Sequence, residues 1–421
     1  MGTVQSDGTG GPGPASGPVA PALRGVLALV VNCGSSSVKY RLLEPSQGRI
    51  VADGMVERIG EGGSHLQHRF GDGPPRELPG PFADHAAAVD GLRRAFDTFG
   101  PHLDDVRLEV VGHRVVHGGT AFVDPVLVDD AVLTALDGLN DLAPLQNPAG
   151  IAAIRTARRV FPDVPQVAVF DTAFHATLPP RASTYAVPAE WRRRHGVRRY
   201  GFHGSSYAYV SREAARFLDR DVGELNLIAL HLGSGASACA IAGGRSIDTS
   251  MGLTPLQGLV MGTRSGDVDP ALPAHLARVA GLDLETVDRA LNHASGLLGL
   301  AGVSDLREVC RLAGEGDDDA VLALDVYCYR IRSYVGAYLA ALGRADAVVF
   351  TAGVGEHSAE VRARSLAGLQ ALGIVVDEQR NTAPSGGVRR ISPDDAAVAV
   401  LVVPTDEERE IATQALAVVH G

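Results

Sequence analysis

A chain of 421 residues is too long for one ordinary hydrophobic core, and its length alone predicts two domains, or three. The composition, 45% hydrophobic and 21% charged with 50 glycines, is that of an α/β protein, and a net charge of -11 gives no electrostatic reason to expect nucleic acid or an anionic membrane as partner. Cys33, Cys239, Cys310 and Cys328 form no CxxC pair and no metal-type spacing, which reads as reduced core thiols of a cytosolic protein.

Residues 1–24, rich in Gly, Pro, Ser and Ala, carry no basic stretch ahead of an apolar core and read as a disordered extension rather than a signal peptide. No apolar run approaches the length of a membrane span. Val26 to Val30 is an aliphatic run that predicts a buried strand, and Asn32-Cys33-Gly34-Ser35-Ser36-Ser37 after it predicts a tight turn able to cradle a phosphate. Lys39, just beyond, is the single lysine of the chain, every other basic residue being arginine. A lone compact ammonium beside a Gly/Ser turn suits an anion site where a flat guanidinium would not serve; a serine-rich hairpin with a chance lysine is the bland alternative. Another strand, not a helix, follows the turn, which argues against a P-loop or a dinucleotide-binding βαβ unit. After strands through Ile59, a Gly/Pro-rich loop is expected to about residue 82, then a helix over 83–98.

Val106 to Val111 predicts a strand leading into Gly112-His113-Arg114-Val115-Val116-His117-Gly118-Gly119, where Arg114 could grip an anion bidentately or sit in a salt bridge at a domain edge. Leu142 to Pro148 is a turn capping a helix from Ala149 to about Val160. The strand Val167–Phe170 delivers Asp171 at its carboxyl end, the place for an acid/base or metal group and equally for a helix cap. Residues 191–199 contain five arginines, most simply a solvated face. Phe202-His203 between two glycines displays one imidazole on a close-packed backbone, either catalytic or a satisfied core histidine.

The second half repeats the first. Leu225 to Leu230 predicts a strand, His231-Leu232-Gly233-Ser234-Gly235 a small-residue turn, and Ala238 to Ala242 a return strand, so two hairpins of one design lie about 200 residues apart. That is the signature of a duplicated domain with a ligand between the copies. Gly244 to Pro270 reads as mostly irregular and carries Arg264; a loop this long inside a compact domain is usually functional. Helices are expected at 271–280, 284–293 and 317–343, the last apolar enough for a core or a dimer interface. Ala347 to Phe350 enters the glycine turn Gly353-Val354-Gly355-Glu356-His357, and Val398 to Val403 precedes Pro404-Thr405-Asp406-Glu407-Glu408 and a helix from about Arg409.

Taken together, the blocks NCGSSSVKY, GHRVVHGG, LAPLQNP, FDTAFH, RRYGFHGSS, HLGSGAS, DTSMGLTPLQGLVMGTRSGDVDP, SGLLG, FTAGVGEH and PTDEE resemble, in order, the acetate kinases, and the likeness runs from residue 26 to 413. The resemblance implies an α/β fold of two duplicated domains of the actin-like ATPase (ribonuclease H-like) type, each with a βββαβαβα core. Residues 25–171 plus 408–421 would form the first domain and 172–407 the second, which carries the adenosine pocket. It implies reversible transfer of the ATP γ-phosphoryl group to acetate in a cytoplasmic homodimer, with Mg²⁺ as cofactor and Mn²⁺ able to substitute. By the same likeness Asn32 and Glu407 hold the metal. Lys39 and His231, Leu232, Gly233, Ser234 and Gly235 meet the phosphates, while Asp305, Leu306, Arg307 and Gly353, Val354, Gly355, Glu356, His357 border the adenosine. Arg114 and Arg264 bind the carboxylate and the moving phosphoryl, His203 stabilises the transition state, and Asp171 matches the family's catalytic aspartate. Val116, Leu145, Phe202 and Pro255 match a small apolar pocket for the acetate methyl.

These roles agree with what phosphoryl transfer demands, in-line positioning and positive charge around three equatorial oxygens. A carboxylate acceptor is ionised near pH 7 and needs no strong base, so Asp171 is expected to orient water or arginine. The sequence departs from the family pattern at Gln146, Ser234, Tyr207, Gln257 and His357, where His, Asn, His, Glu and Asn are usual. Gln146 and Ser234 lie closest to the proposed chemistry, and neither removes a charge that the mechanism requires, so lowered or retuned activity is expected rather than its absence. The alternatives are a kinase for propionate or butyrate, and a nucleotide-binding relative without turnover.

Overall fold

The computed structural model describes residues 25–421 apart from Ser35, Leu145 and Ser385, so the expectations placed on residues 1–24, Ser35 and Leu145 lie outside the described residues. Two mixed sheets form the framework. The first has eight strands in the order β5-β4-β3-β2-β1-β6-β8-β7. Its members are β1 (Leu27–Cys33), β2 (Ser37–Glu44), β3 (Arg49–Glu57), β4 (His65–Phe70), β5 (Arg76–Pro79), β6 (Leu108–Val115), β7 (Val126–Leu127) and β8 (Gln166–Phe170). The second runs β11-β10-β9-β12-β14-β13. It comprises β9 (Asn226–Leu232), β10 (Ala236–Ala242), β11 (Arg245–Thr249), β12 (Ala347–Thr351), β13 (Arg389–Arg390) and β14 (Ala399–Val402).

The two sheets share one plan. In each, an antiparallel meander (β3-β2-β1, then β11-β10-β9) continues into parallel neighbours (β1-β6-β8, then β9-β12-β14). Such parallel strands are covered on both faces, so their residues are aliphatic throughout and alternate between two cores. Leu27, Leu29 and Val31 pack with the helices His85–Phe99 and Asn147–Val160, while Ala28 and Val30 pack with Ile411, Ala412 and Ala415 of the C-terminal helix Glu407–His420. At Gly112, on β6, a β-carbon would stand 3.0 Å from Ile411 Cγ2, so the missing side chain lets that helix close on the sheet.

The second sheet repeats the arrangement. Ile228, Leu230 and Leu232 face the long helix Asp318–Leu342, whose buried residues Ala320, Ala323, Leu324, Tyr327, Ile331 and Val335 fall at helical spacing. Leu227 and Ala229 face the helix Gly204–Phe217. All four cysteines are free.

Three expectations change. The loop predicted up to residue 82 contains β4 and β5, an edge hairpin whose polar strand residues hid it. The irregular stretch after Gly244 opens with β11. The last helix begins at Glu407, capped by Asp406, whose side chain accepts from Arg409 N; the acidic start stabilises the helix N-terminus.

Candidate active site

The carboxyl ends of β1, β6 and β8 carry one cluster of polar side chains. In the first sheet Asn32 of β1 stands in register with Arg114 of β6, and the chain leaves β8 at Asp171. Arg114 grips Asp171 bidentately, Nε to Oδ1 at 2.8 Å and Nη2 to Oδ2 at 2.7 Å, with Asp171 only 1% exposed. Its Nη1 approaches Asn32 Oδ1 at 3.5 Å, and its Nη2 lies 3.8 Å from Glu407 Oε2. Burial opposes the Arg114 charge, but Asp171 and Glu407 outweigh it and hold its pKa above the usual value. The Glu407 carboxyl is pushed up by burial, with Arg114 pulling the other way. Lys39 pairs with Asn32 across the β1–β2 ladder, is exposed, and adds a favourable charge for Glu407.

The second half of the chain supplies the imidazoles, His231 from β9 and His203 from the start of a helix. His203 adopts a left-handed backbone (φ 59°) at the start of the helix Gly204–Phe217, and Gly204 donates its N–H to Asp171 O at 2.9 Å. A β-carbon at residue 204 would sit 2.3 Å from that carbonyl, so only glycine lets the His203 turn seat against the Asp171 strand end. His203 stacks on His231 with ring centroids 4.1 Å apart. Ser237 Oγ lies 2.8 Å from His203 Nδ1, and Ser206 Oγ lies 2.8 Å from His231 Nδ1. Burial, then His231, then Arg114 and Arg264 push the His203 pKa well down, and burial takes His231 to about 3. Both rings are therefore neutral hydrogen-bonding groups in the free protein.

Arg264 completes the ring of donors. A β-carbon on Gly235 would lie 3.5 Å from Arg264 Nη1 and 3.7 Å from His203 Nε2, which places both groups beside the β9–β10 turn. Arg264 Nη1 donates to Pro255 O at 3.3 Å, and among the described residues no carboxylate pairs with it. Its charge is desolvated and its pKa lowered by burial.

A family model of the acetokinases matches residues 27–413. The chain belongs to the acetokinase family. It is 56% identical over 392 residues to the acetate kinase of Streptomyces avermitilis, covering 93% of this chain and 97% of that one. Among solved structures, the acetate kinase of Porphyromonas gingivalis superposes with a TM-score of 0.89 at 41% identity, covering 93% of this chain and 99% of that one. A propionate kinase from Francisella tularensis superposes at 0.88 and 38% identity, with the same coverage. The shared fold of these kinases is the duplicated actin-like ATPase architecture already visible in the two matching sheets.

Against the β9–β10 turn this acetokinase has a pocket lined by Gly233, Ser234, Asp305, Leu306, Arg307, Gly353, Val354 and His357, among others. Gly355 and Glu356 do not line it: Gly355 is buried, and Glu356 Oε1 accepts from Thr405 N at 3.2 Å. Leu232 is buried in the second core, so only its backbone serves the turn. Val116 packs against the cluster that contains Phe202, and His117 meets Phe202 edge-on at 5.4 Å. Pro255 is tied to Arg264 through its carbonyl, which accepts from Nη1.

Sequence reasoning gave no role to Ser206, Ser237 and Thr405, although all three lie inside the matched blocks. Ser206 also meets Thr405 Oγ1 at 2.9 Å, linking the imidazoles to the last crossover. Arg199, taken with the solvated arginines, instead donates through Nη1 to the carbonyls of Thr249, Ser250 and Met251 at 2.7, 2.9 and 3.1 Å, holding the segment that leads to Pro255.

The buried histidines make folding sensitive to acid. Burial lowers His113, His117 and His175 to about 4 and His231 to about 3. The unfolded chain binds these protons below about pH 6.5, whereas the fold keeps the rings neutral. Their contribution to stability is therefore complete above that pH and declines as the pH falls towards about 4. Urea midpoints should drop steadily from about pH 7 to about pH 5, and a constant midpoint over that interval would contradict the assignment.

Proposed function

We propose that this chain is an acetate kinase, transferring the γ-phosphoryl group of ATP reversibly to acetate, with Mg²⁺ as cofactor. The observation that carries the reading is the convergence of Arg114, His203 and Arg264 at the carboxyl ends of two matching sheets, next to the pocket bordered by Asp305–Arg307 and Gly353. Adenosine occupies that pocket, and the triphosphate runs past the His231–Gly235 turn towards the arginines. An acetate oxygen, already ionised, attacks the γ-phosphorus; the new P–O bond forms as the bond to the ADP oxygen breaks. Arg264 and the His203 Nε2 side face the equatorial oxygens, and Arg114, fixed by Asp171, orients the acetate carboxylate. Asp171 thus acts by holding an arginine, since no proton has to leave the acceptor.

Residues that could hold a divalent ion are oxygen donors, as hard cations require. Among the described residues, Glu407 Oε2 is buried without a hydrogen-bond partner, and Asn32 Oδ1 has only the long Arg114 contact. Among the described residues no group of three or more His, Cys, Asp or Glu could hold a metal, so an ion at Asn32 and Glu407 would need its remaining ligands from nucleotide phosphates and water. Bound there, the ion would neutralise phosphate charge. Glu407→Gln should raise the Mg²⁺ concentration for half-maximal rate by about tenfold or more, while ATP binding in its absence stays the same; an unchanged Mg²⁺ requirement would remove Glu407 from the set.

The wall of Val116, Phe202 and Pro255 limits the acyl chain. One added methylene costs about 1–3 kcal/mol in such a pocket, so propionate should be a poorer substrate rather than an excluded one. Incubation with ATP, Mg²⁺ and acetate, propionate or butyrate, with hydroxylamine trapping the acyl phosphate, tests the whole reading. Acetyl hydroxamate should dominate; a preference for propionate would transfer the assignment to that acid, and no hydroxamate from any of them would leave a nucleotide-binding protein without turnover.

The domain division at 25–171 with 408–421 and 172–407 belongs to the same reading, as do a cytoplasmic location and a homodimer. The helices Leu272–Ala280 and Leu284–His293 bury only Val287, and they and the turn between them expose Val279, Leu282 and Leu284, which supports a covered face there. No helix among the described residues is long and apolar enough to cross a membrane.

A further inference from the structure

Behind His203 lies a chain of hydroxyls. Ser237 Oγ, 2.8 Å from His203 Nδ1, is also 2.5 Å from the hydroxyl of Tyr207, one helical turn along from His203. Tyr207 is fully buried, its ring stacked near Phe174 and edge-on to His175. Each hydroxyl has one proton to give. Among the described residues Ser237 Oγ is the one hydrogen-bond partner of the Tyr207 hydroxyl, so the phenol proton goes to Ser237. Ser237 then has its proton free for His203 Nδ1, which must accept. The reverse order, with Nδ1–H donating to Ser237 and Ser237 donating to the phenol oxygen, leaves the buried phenol proton without an acceptor among the described residues. Only the first order satisfies every group.

We propose that Tyr207 is a positioning residue that, through Ser237, fixes the His203 imidazole in the tautomer whose Nε2 carries the proton and faces Arg264. This rests on the acetate kinase reading. His203 then meets the transferring phosphoryl group as a neutral N–H donor, complementing the charged Arg264, and the ring does not have to find its tautomer after nucleotide binds. A histidine at position 207, usual in the family pattern, could itself exchange tautomers or ionise. A phenol, whose burial raises its pKa well above the ordinary value, always arrives as a donor.

The test uses the full chain and three variants: Tyr207→Phe, which keeps the ring and removes the donor, Ser237→Ala, and the double variant. Tyr207→Phe should lower kcat about 10–100-fold while KM for ATP and acetate moves less than about threefold. The double variant should be no slower than Ser237→Ala to within about threefold, because both changes break one relay. In ¹⁵N-histidine-labelled protein, with the His203 signals identified by their loss in His203→Asn, wild type should show the protonated-Nε2 pattern and Tyr207→Phe a mixture. A wild-type kcat and an unchanged nitrogen pattern in a folded Tyr207→Phe protein would overturn the proposal, as would fully multiplicative losses in the double variant. If wild-type protein phosphorylates none of the three acids, the acetate kinase reading fails by itself; the nitrogen pattern still decides the relay.

Discussion

Arg264→Ala lowers turnover by about 10²–10³-fold and leaves the fold at least as stable as before. The pairing of those outcomes follows from the state of the guanidinium. In the free protein it is desolvated, donates to Pro255 O and touches Met261 Sδ at 3.7 Å, and among the described residues has no carboxylate partner. A buried charge without a counter-ion destabilises the protein that contains it, and an incoming phosphate oxygen reverses that cost. Removing the side chain therefore takes away transition-state stabilisation together with a source of strain. Initial rates with saturating ATP and acetate, alongside urea unfolding of the same preparations, check both halves. A rate within a fewfold of wild type, or a large loss of stability, would show that Arg264 holds the loop rather than the reacting group.

Arg114→Ala gives the opposite pairing. Turnover falls by orders of magnitude, and stability falls too, by about 3–5 kcal/mol, because Asp171 is left as a buried unpaired carboxylate. The control is to replace both partners by apolar residues of similar bulk, Arg114→Met with Asp171→Leu. That pair should recover much of the stability, since neither charge is then buried, and none of the activity. Nucleotide binding, measured by fluorescence titration, should survive in both variants, because the pocket proposed for the nucleotide is lined by residues of the second half such as Gly233, Asp305 and Gly353 and not by Arg114. Loss of ATP affinity equal to the loss of rate would place Arg114 against the nucleotide instead of the acceptor.

The duplicated plan was legible because its strands are aliphatic runs broken by small-residue turns. Leu27–Cys33 and Asn226–Leu232 can be read as equivalents with no knowledge of how they pair. The β4–β5 hairpin was not legible, since an edge strand such as His65–Phe70 buries only alternate residues and carries basic and amide side chains between them. At the site, each residue type was visible and its partner was not. Arg114 and Asp171 are 57 positions apart, and only the parallel register of β6 and β8 brings one strand end beside the other. The alternative of Asp171 as a helix cap gives way to a bidentate ion pair. Likewise, nothing local distinguishes Arg199 from Arg192 or Arg193, yet Arg199 alone of these turns inward to collect three carbonyls.

The covering of the first sheet by Glu407–His420 has a consequence for how the molecule is made. One face of β1, β6 and β8 waits for 14 residues that emerge from the ribosome after the entire second half has been synthesised. The amino-terminal half is therefore the later of the two to finish, with Val30, Val110 and Val169 exposed to water until then. Nascent chains stopped short of residue 407 should carry a completed second unit beside a protease-sensitive first one, and chaperones would meet this protein through its beginning, not its end.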